Sequence, residues 1–147
     1  MQVAQAVQTT DTVVRAAAFD ILESHNAMQR VTAAPNGPWI AGVYFARIGN
    51  DVVLFLEESG QTVRALRADP RVAFVVTDND AMKDFLQGRG DVEELSSGDD
   101  AWVRAHLVAK VPWFQTYMPS RGVRVRMREL RVSSFARGWF PARQVAL

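Results

Sequence analysis

Cysteine is absent from the sequence. That absence excludes disulfides, thiol catalysis and thiolate metal sites, and it fits either an oxidising or a reducing compartment. Histidine is scarce as well: His25 and His106 are the two present, and neither has a further ligand at the spacing of a metal site, so no metal is expected. No run approaches the ~20 apolar residues of a membrane span. The start, MQVAQAVQTTDTVV, lacks the basic residues and continuous apolar stretch of a signal peptide. A soluble, cytoplasmic protein with no membrane partner is therefore expected. Repeats, low-complexity segments and interdomain linkers are also missing. So are a Ser-His-Asp grouping, paired carboxylates in a catalytic motif and a Gly-rich nucleotide fingerprint. Nor does either charge dominate, with 17 Lys and Arg against 16 Asp and Glu and a formal net charge of +1. A net charge that small is uninformative about partners.

What is present is an ordinary globular composition, 48% hydrophobic and 22% charged over 147 residues. That suits one domain, residues 1–147, large enough for a true core. Thr10 or Asp11 can cap a helix running to about His25, because Val14, Ala17, Ala18, Ile21 and Leu22 recur at helical spacing. Residues 27–34 suit a strand, and Pro35-Asn36-Gly37-Pro38 is a turn, since Asn-Gly readily takes positive φ. A second strand, Trp39 to Ile48, is apolar on both faces and carries the small residues Ala41 and Gly42, where a backbone or flat ligand can approach. Strand three, Val52 to Glu57, follows the turn Gly49-Asn50-Asp51.

A helix from Gln61 to Ala68 stops at Asp69-Pro70, because a residue before proline is pushed out of helical geometry. Strand four, Arg71 to Thr77, precedes strand five, about Lys83 to Leu95, in which Gly88 and Gly90 suggest a bulge. Ser96 to Asp100 caps a helix with Trp102, Leu107 and Val108 on its apolar side, and a last strand region runs from Val123 to Phe135. Short strands with few helices indicate a mainly β fold, a closed or nearly closed barrel with peripheral helices and strands within about 27–135.

The order strand, turn, strand, polar loop, basic helix, Asp-Pro, strand between Val43 and Phe74 resembles the core of the pyridoxamine 5'-phosphate oxidase-related, FMN-binding split-barrel superfamily. Its strongest local element is Leu66-Arg67-Ala68-Asp69-Pro70-Arg71-Val72-Ala73, supported by the later Gly88-Arg89-Gly90-Asp91-Val92-Glu93. The resemblance extends from the helix before Asn26 to the strands before Trp139. It implies a split β-barrel, a homodimer with cofactor in the interface, and a flavin-dependent oxidoreductase acting on a small molecule. Members place the flavin phosphate against the segment that here reads Glu57 to Arg64, so Gln61, Thr62 and Arg64 become candidate phosphate ligands. A helix amino end favours an anion in any case. Gly42, Val43, Tyr44, Leu56 and Glu57 would line the isoalloxazine, with Gly42 and Tyr44 the stronger candidates and Val43, Phe45, Val53 and Phe55 the better core candidates.

One departure bears on the cofactor. Relatives carry a basic pair where this chain has Gly60, Gln61 and Thr62, so two charge-assisted bonds to a phosphate are lost. Arg64, Arg67 or Arg71 would have to compensate; otherwise the barrel takes a deazaflavin, a haem or no cofactor, as a non-catalytic binding module. The closing GWFPARQVAL has no recognisable basic substrate-phosphate site of the vitamin B6 oxidase, so that specific activity is not expected. Aromatics near the carboxyl end, Trp113-Phe114 with Tyr117 and Trp139-Phe140, are either packing residues or a cover for the flavin ring contributed across a dimer. Finally, Arg124, Arg126 and Arg128 alternate with Val125 and Met127, which puts the arginines ~7 Å apart on one face. A stripe so short on a near-neutral chain suits a solvated strand face, whose arginines block edge pairing, better than nucleic acid, which is not an expected partner.

Overall fold

The computed structural model describes residues 2–33 and 36–147, with side chains described from residue 10 onward. Ala34, placed at the end of the first strand, and Pro35 of the turn lie outside the described residues. The elements are α1 (Gln2–Ser24), β1 (Ala27–Thr32), β2 (Trp39–Tyr44), β3 (Ala46–Ile48), β4 (Asp51–Glu57), α2 (Gln61–Ala68), β5 (Arg71–Val76), β6 (Phe85–Glu94), a 3-10 turn (Ser97–Asp99), α3 (Asp100–Lys110), β7 (Ser120–Ser134) and β8 (Trp139–Ala146). The strands form one antiparallel sheet in the order β2-β1-β5-β6-β7-β4-β3, with β8 paired to β7.

Alternation explains how this sheet curls. On β1 the inward residues are Met28, Arg30 and Thr32, while Ala27, Gln29 and Val31 face out. On β7, Val123, Val125 and Met127 point in, as the alternating pattern requires. β2, at one edge, packs beside β4, so the sheet wraps round a core that includes Met28, Phe45, Leu54, Phe74, Leu86 and Leu130. α1 adds Val14, Ala17, Ala18, Ile21 and Leu22 to that core, and α2 adds Val63 and Leu66. β4 is buried on both faces. Its Val52, Leu54 and Leu56 belong to the barrel interior, and its Val53 and Phe55 join Ala46, Leu95, Val103 and Leu107 in a second cluster under α3.

The glycines of β6 have different causes. The sheet register shifts between Arg89 and Gly90, a bulge that bends the strand. At Gly88 an added Cβ would lie 2.2 Å from the Phe74 ring, which leans across the glycine.

Four expectations need correction. α1 begins at Gln2 rather than near Thr10 or Asp11, because Gln and Ala in the preceding segment are good helix formers even without an apolar period. The predicted second strand is two, β2 and β3, broken at Phe45, whose N–H donates to the Asn26 carbonyl at 3.1 Å. On β2 the residues Trp39, Ile40, Gly42 and Tyr44 are exposed. On α3 the buried residues are Val103 and Leu107, while Trp102 and Val108 face outward. β8 was not foreseen; Pro141 disguises it, and as a strand paired on one side it tolerates the missing N–H.

Candidate functional site

β4 ends at Glu57, and the turn Glu58-Ser59-Gly60 leads into α2. The Gly60 N–H donates to the Glu57 carbonyl at 3.0 Å. Gly60 occupies the cap position in an extended conformation, and no side chain caps the helix. The first-turn amides of α2 therefore keep their donor capacity. Arg64 reaches back from one turn in, and its Nη1 donates to the Ser59 carbonyl at 3.3 Å. Gln61 is exposed and Thr62 half-buried.

The other cations at this end are engaged by acids. Arg67 donates to both oxygens of Glu94 at 2.7 and 3.3 Å; Arg121 bridges Glu58 at 3.2 Å and Glu94 at 3.8 Å. Arg71 holds Asp69 at 2.7 Å. The Arg67 bond and charge hold the Glu94 carboxyl below its usual range, with Arg121 adding to the effect. The side-chain bond from Arg71 brings Asp69 down to about 2. Arg64 is the arginine in this group with no acidic partner among the described residues.

A second zone lies on β2 and the neighbouring loop. Gly42 stands opposite Gln29 on β1, and the Gln29 amide lies 3.1 Å from where a Gly42 Cβ would sit. Tyr44 is 41% exposed, and its ring meets Phe114 edge-on at 6.3 Å. Phe114 stacks on Phe55 at 5.9 Å, and the Arg104 guanidinium lies 4.8 Å over Phe55 from the other element. Beyond Phe114, Trp113 and Tyr117 are exposed. Along the same outer face, Gln29, Val31, Ile40, Val75, Gln87 and Arg89 line a cavity of about 320 Å³.

The residues singled out from sequence separate accordingly. Gly42 and Tyr44 share the outer face of β2; Val43 lies half-buried against the barrel core, and Leu56 is fully inside it. Glu57, Gln61, Thr62 and Arg64 cluster where β4 passes into α2. Trp113 is exposed beside the Tyr44 zone, but Phe114 makes the contact there. Trp139 is elsewhere: it pairs with Ser134 at the far end of β7 from the Glu57–Ser120 pair. There the Arg137 guanidinium lies 4.9 Å from its ring. Sequence reasoning passed over Gln29 and Arg104, whose positions follow from strand register and helix packing rather than from any local motif. Glu58, Glu93 and Glu94 each take part in an ion pair.

The arginine stripe changes character in three dimensions. Arg126 binds Glu93 at 2.9 Å, Arg128 binds Asp91 at 2.7 Å and Arg124 lies 3.9 Å from Asp51. The face is a ladder of alternating charge, built by the antiparallel pairing of β7 with β4 and β6. Of the histidines, His25 contacts the Ile21 carbonyl at 2.8 Å and Asp78 at 3.2 Å, and His106 sits edge-on to Trp102 at 5.2 Å. No metal-binding group of three ligands occurs among the described residues.

No protein-family model matches the sequence, and no curated protein is significantly similar to it. Solved structures do match. A haem-binding protein from Mycobacterium smegmatis is 18% identical with a TM-score of 0.69, the match covering 86% of this chain and 55% of that one. The chain thus spans about half of that protein's length. A FAD-binding protein from Mesorhizobium loti is 18% identical, with a TM-score of 0.64 over 78% of this chain and 90% of that one. An F420 reductase is 24% identical, with a TM-score of 0.64 over 76% and 93% respectively. Whatever their cofactors, these proteins are built on one backbone plan, and this chain has it: the split-barrel fold of the pyridoxamine 5'-phosphate oxidase-like proteins.

Proposed function

We propose that the protein binds FMN along the outer face of β2 and the start of α2, and acts as a flavin-dependent oxidoreductase on a small molecule. One observation carries this reading: the start of α2 is uncapped and its Arg64 has no acid partner among the described residues, while Gly42 and Tyr44 stand exposed on β2. Gly42 and Tyr44 would hold the ring, with Gln29 offering an amide beside it. Thr62, Arg64 and the first α2 amides would hold the phosphate. When bound, the flavin supplies the redox chemistry, and the protein supplies orientation, hydrogen bonds and water exclusion. The names of the FAD-binding protein and the F420 reductase support a flavin-type ligand on this fold.

A homodimer belongs to the same proposal. Val31, Ile40 and Tyr44 are large apolar residues exposed on the outer face of β1 and β2, and a second copy of the chain would cover them beside the cofactor.

A second reading has its own support. Arg67, Arg71 and Arg121 are committed to carboxylates, so few cations remain for a dianionic phosphate. A barrel holding a deazaflavin or a haem, or a binding module without cofactor, fits that shortage. Titrating the protein with FMN and with riboflavin, by flavin fluorescence, separates the readings. Arg64→Ala is expected to weaken FMN roughly tenfold, the loss of one charge-assisted bond, and to leave riboflavin unchanged. Equal FMN affinity in the variant would remove Arg64 from the site.

A further inference from the structure

Arg30 has no part in the flavin reading, yet it is the most anomalous side chain among the described residues. It lies on the inner face of β1 and is 5% exposed. Its Nε and Nη1 are enclosed and have no hydrogen-bond partner, and neither has the Oγ1 of Thr32, the next inward residue on the strand. Burial lowers the Arg30 guanidinium to about 10, so it remains a cation at neutral pH.

A buried, unpaired cation is costly, and removing water from it without a counter-charge is what makes it so. The counter-charge is not nearby in sequence. Neither β1 nor the elements that pack against it, β2, β5 and α2, contains an aspartate or glutamate. The cross-strand neighbours are apolar. Arg30 pairs with the small Ala41 on β2 and with Phe74 on β5, and the Phe74 ring leans across Gly88 on β6, away from β1. α2 crosses this end of the barrel, from the end of β4 to the start of β5 and in contact with β1.

We propose that the inner face of β1 is an oxyanion site, in which the Arg30 guanidinium and the Thr32 hydroxyl bind a carboxylate or phosphate group beneath α2. The guanidinium presents parallel N–H donors that match two oxygens of such a group, and the hydroxyl adds a third donor. Water alone would satisfy the hydrogen bonds but not the charge. This site is independent of the flavin reading, since its ligand residues and its test are separate from Gly42, Tyr44 and Arg64.

Thermal unfolding of the full chain without flavin tests it, with inorganic phosphate or acetate titrated against chloride at constant ionic strength. Wild-type protein is expected to gain about 5 °C or more at a hundredfold excess of one oxyanion over its Kd. The better of the two identifies the preferred group. Arg30→Met should unfold no lower than wild type in chloride, because it removes an unpaired charge at similar volume, and should lose the oxyanion-dependent rise. Thr32→Val, which keeps the charge, should reduce the rise without abolishing it. No rise in wild-type protein, or an equal rise in Arg30→Met, would overturn the proposal; if Arg30→Met fails to fold, an unchanged rise in Thr32→Val would overturn the assigned geometry.

Discussion

At the scale of single residues, the fold depends on a few positions whose side chains are decided by what sits opposite. Gly88 is the clearest. Its missing Cβ makes room for the Phe74 ring, which an alanine would meet at 2.2 Å. Gly88→Ala is expected to cost about 1–3 kcal/mol through overpacking, read as a lower midpoint in urea. Phe74→Leu in that background should recover part of the loss, and no recovery would place the strain elsewhere. Lys110 is a second case. Its Nζ lies 3.7 Å from the Phe45 ring centroid and donates to the Leu22 carbonyl at 2.8 Å. Burial lowers it to about 8, with Glu23 opposing and Arg47 adding to the shift. Between that value and the ordinary 10.5 the unfolded chain binds more protons than the folded one, so this group's contribution to stability rises with pH across the window. Wild-type protein should therefore gain stability relative to Lys110→Met from pH 8 to pH 10. A pH-independent difference would contradict the assignment.

At the scale of elements, local chemistry was easier to read than pairing. α2 was legible to the residue, because its amphipathic run is closed by Asp69-Pro70. The bulge near Gly88 and Gly90 was legible for the same kind of reason. The charge ladder on β7 was not, since the sequence shows Arg124, Arg126 and Arg128 at period two but does not show which acids the register brings opposite. The candidate site divides along that line. Gly42, Tyr44 and Arg64 announce themselves through residue type and family resemblance, whereas Gln29, Phe114 and Arg104 reach the site only through register and packing. Phe114 joins the loop after α3 to both Tyr44 and Phe55. Phe114→Ala is expected to lower stability by about 1–3 kcal/mol, at the low end because the ring is half-buried, and to weaken FMN through the Tyr44 zone. Unchanged affinity in a destabilised variant would confine Phe114 to packing.

At the scale of the whole molecule, the sheet order, the β2–β4 contact and the split-barrel comparisons agree on one architecture. The central claim is that the exposed apolar strip on β1 and β2 and the start of α2 together take a flavin. The missing basic pair is what puts the claim at risk, because no motif in the chain replaces it and Arg64 stands alone. The most direct measurement is the visible absorption spectrum of purified protein, before and after incubation with FMN and removal of the excess. The account predicts retained flavin bands after incubation, in proportion to protein. A colourless protein after both steps would contradict it.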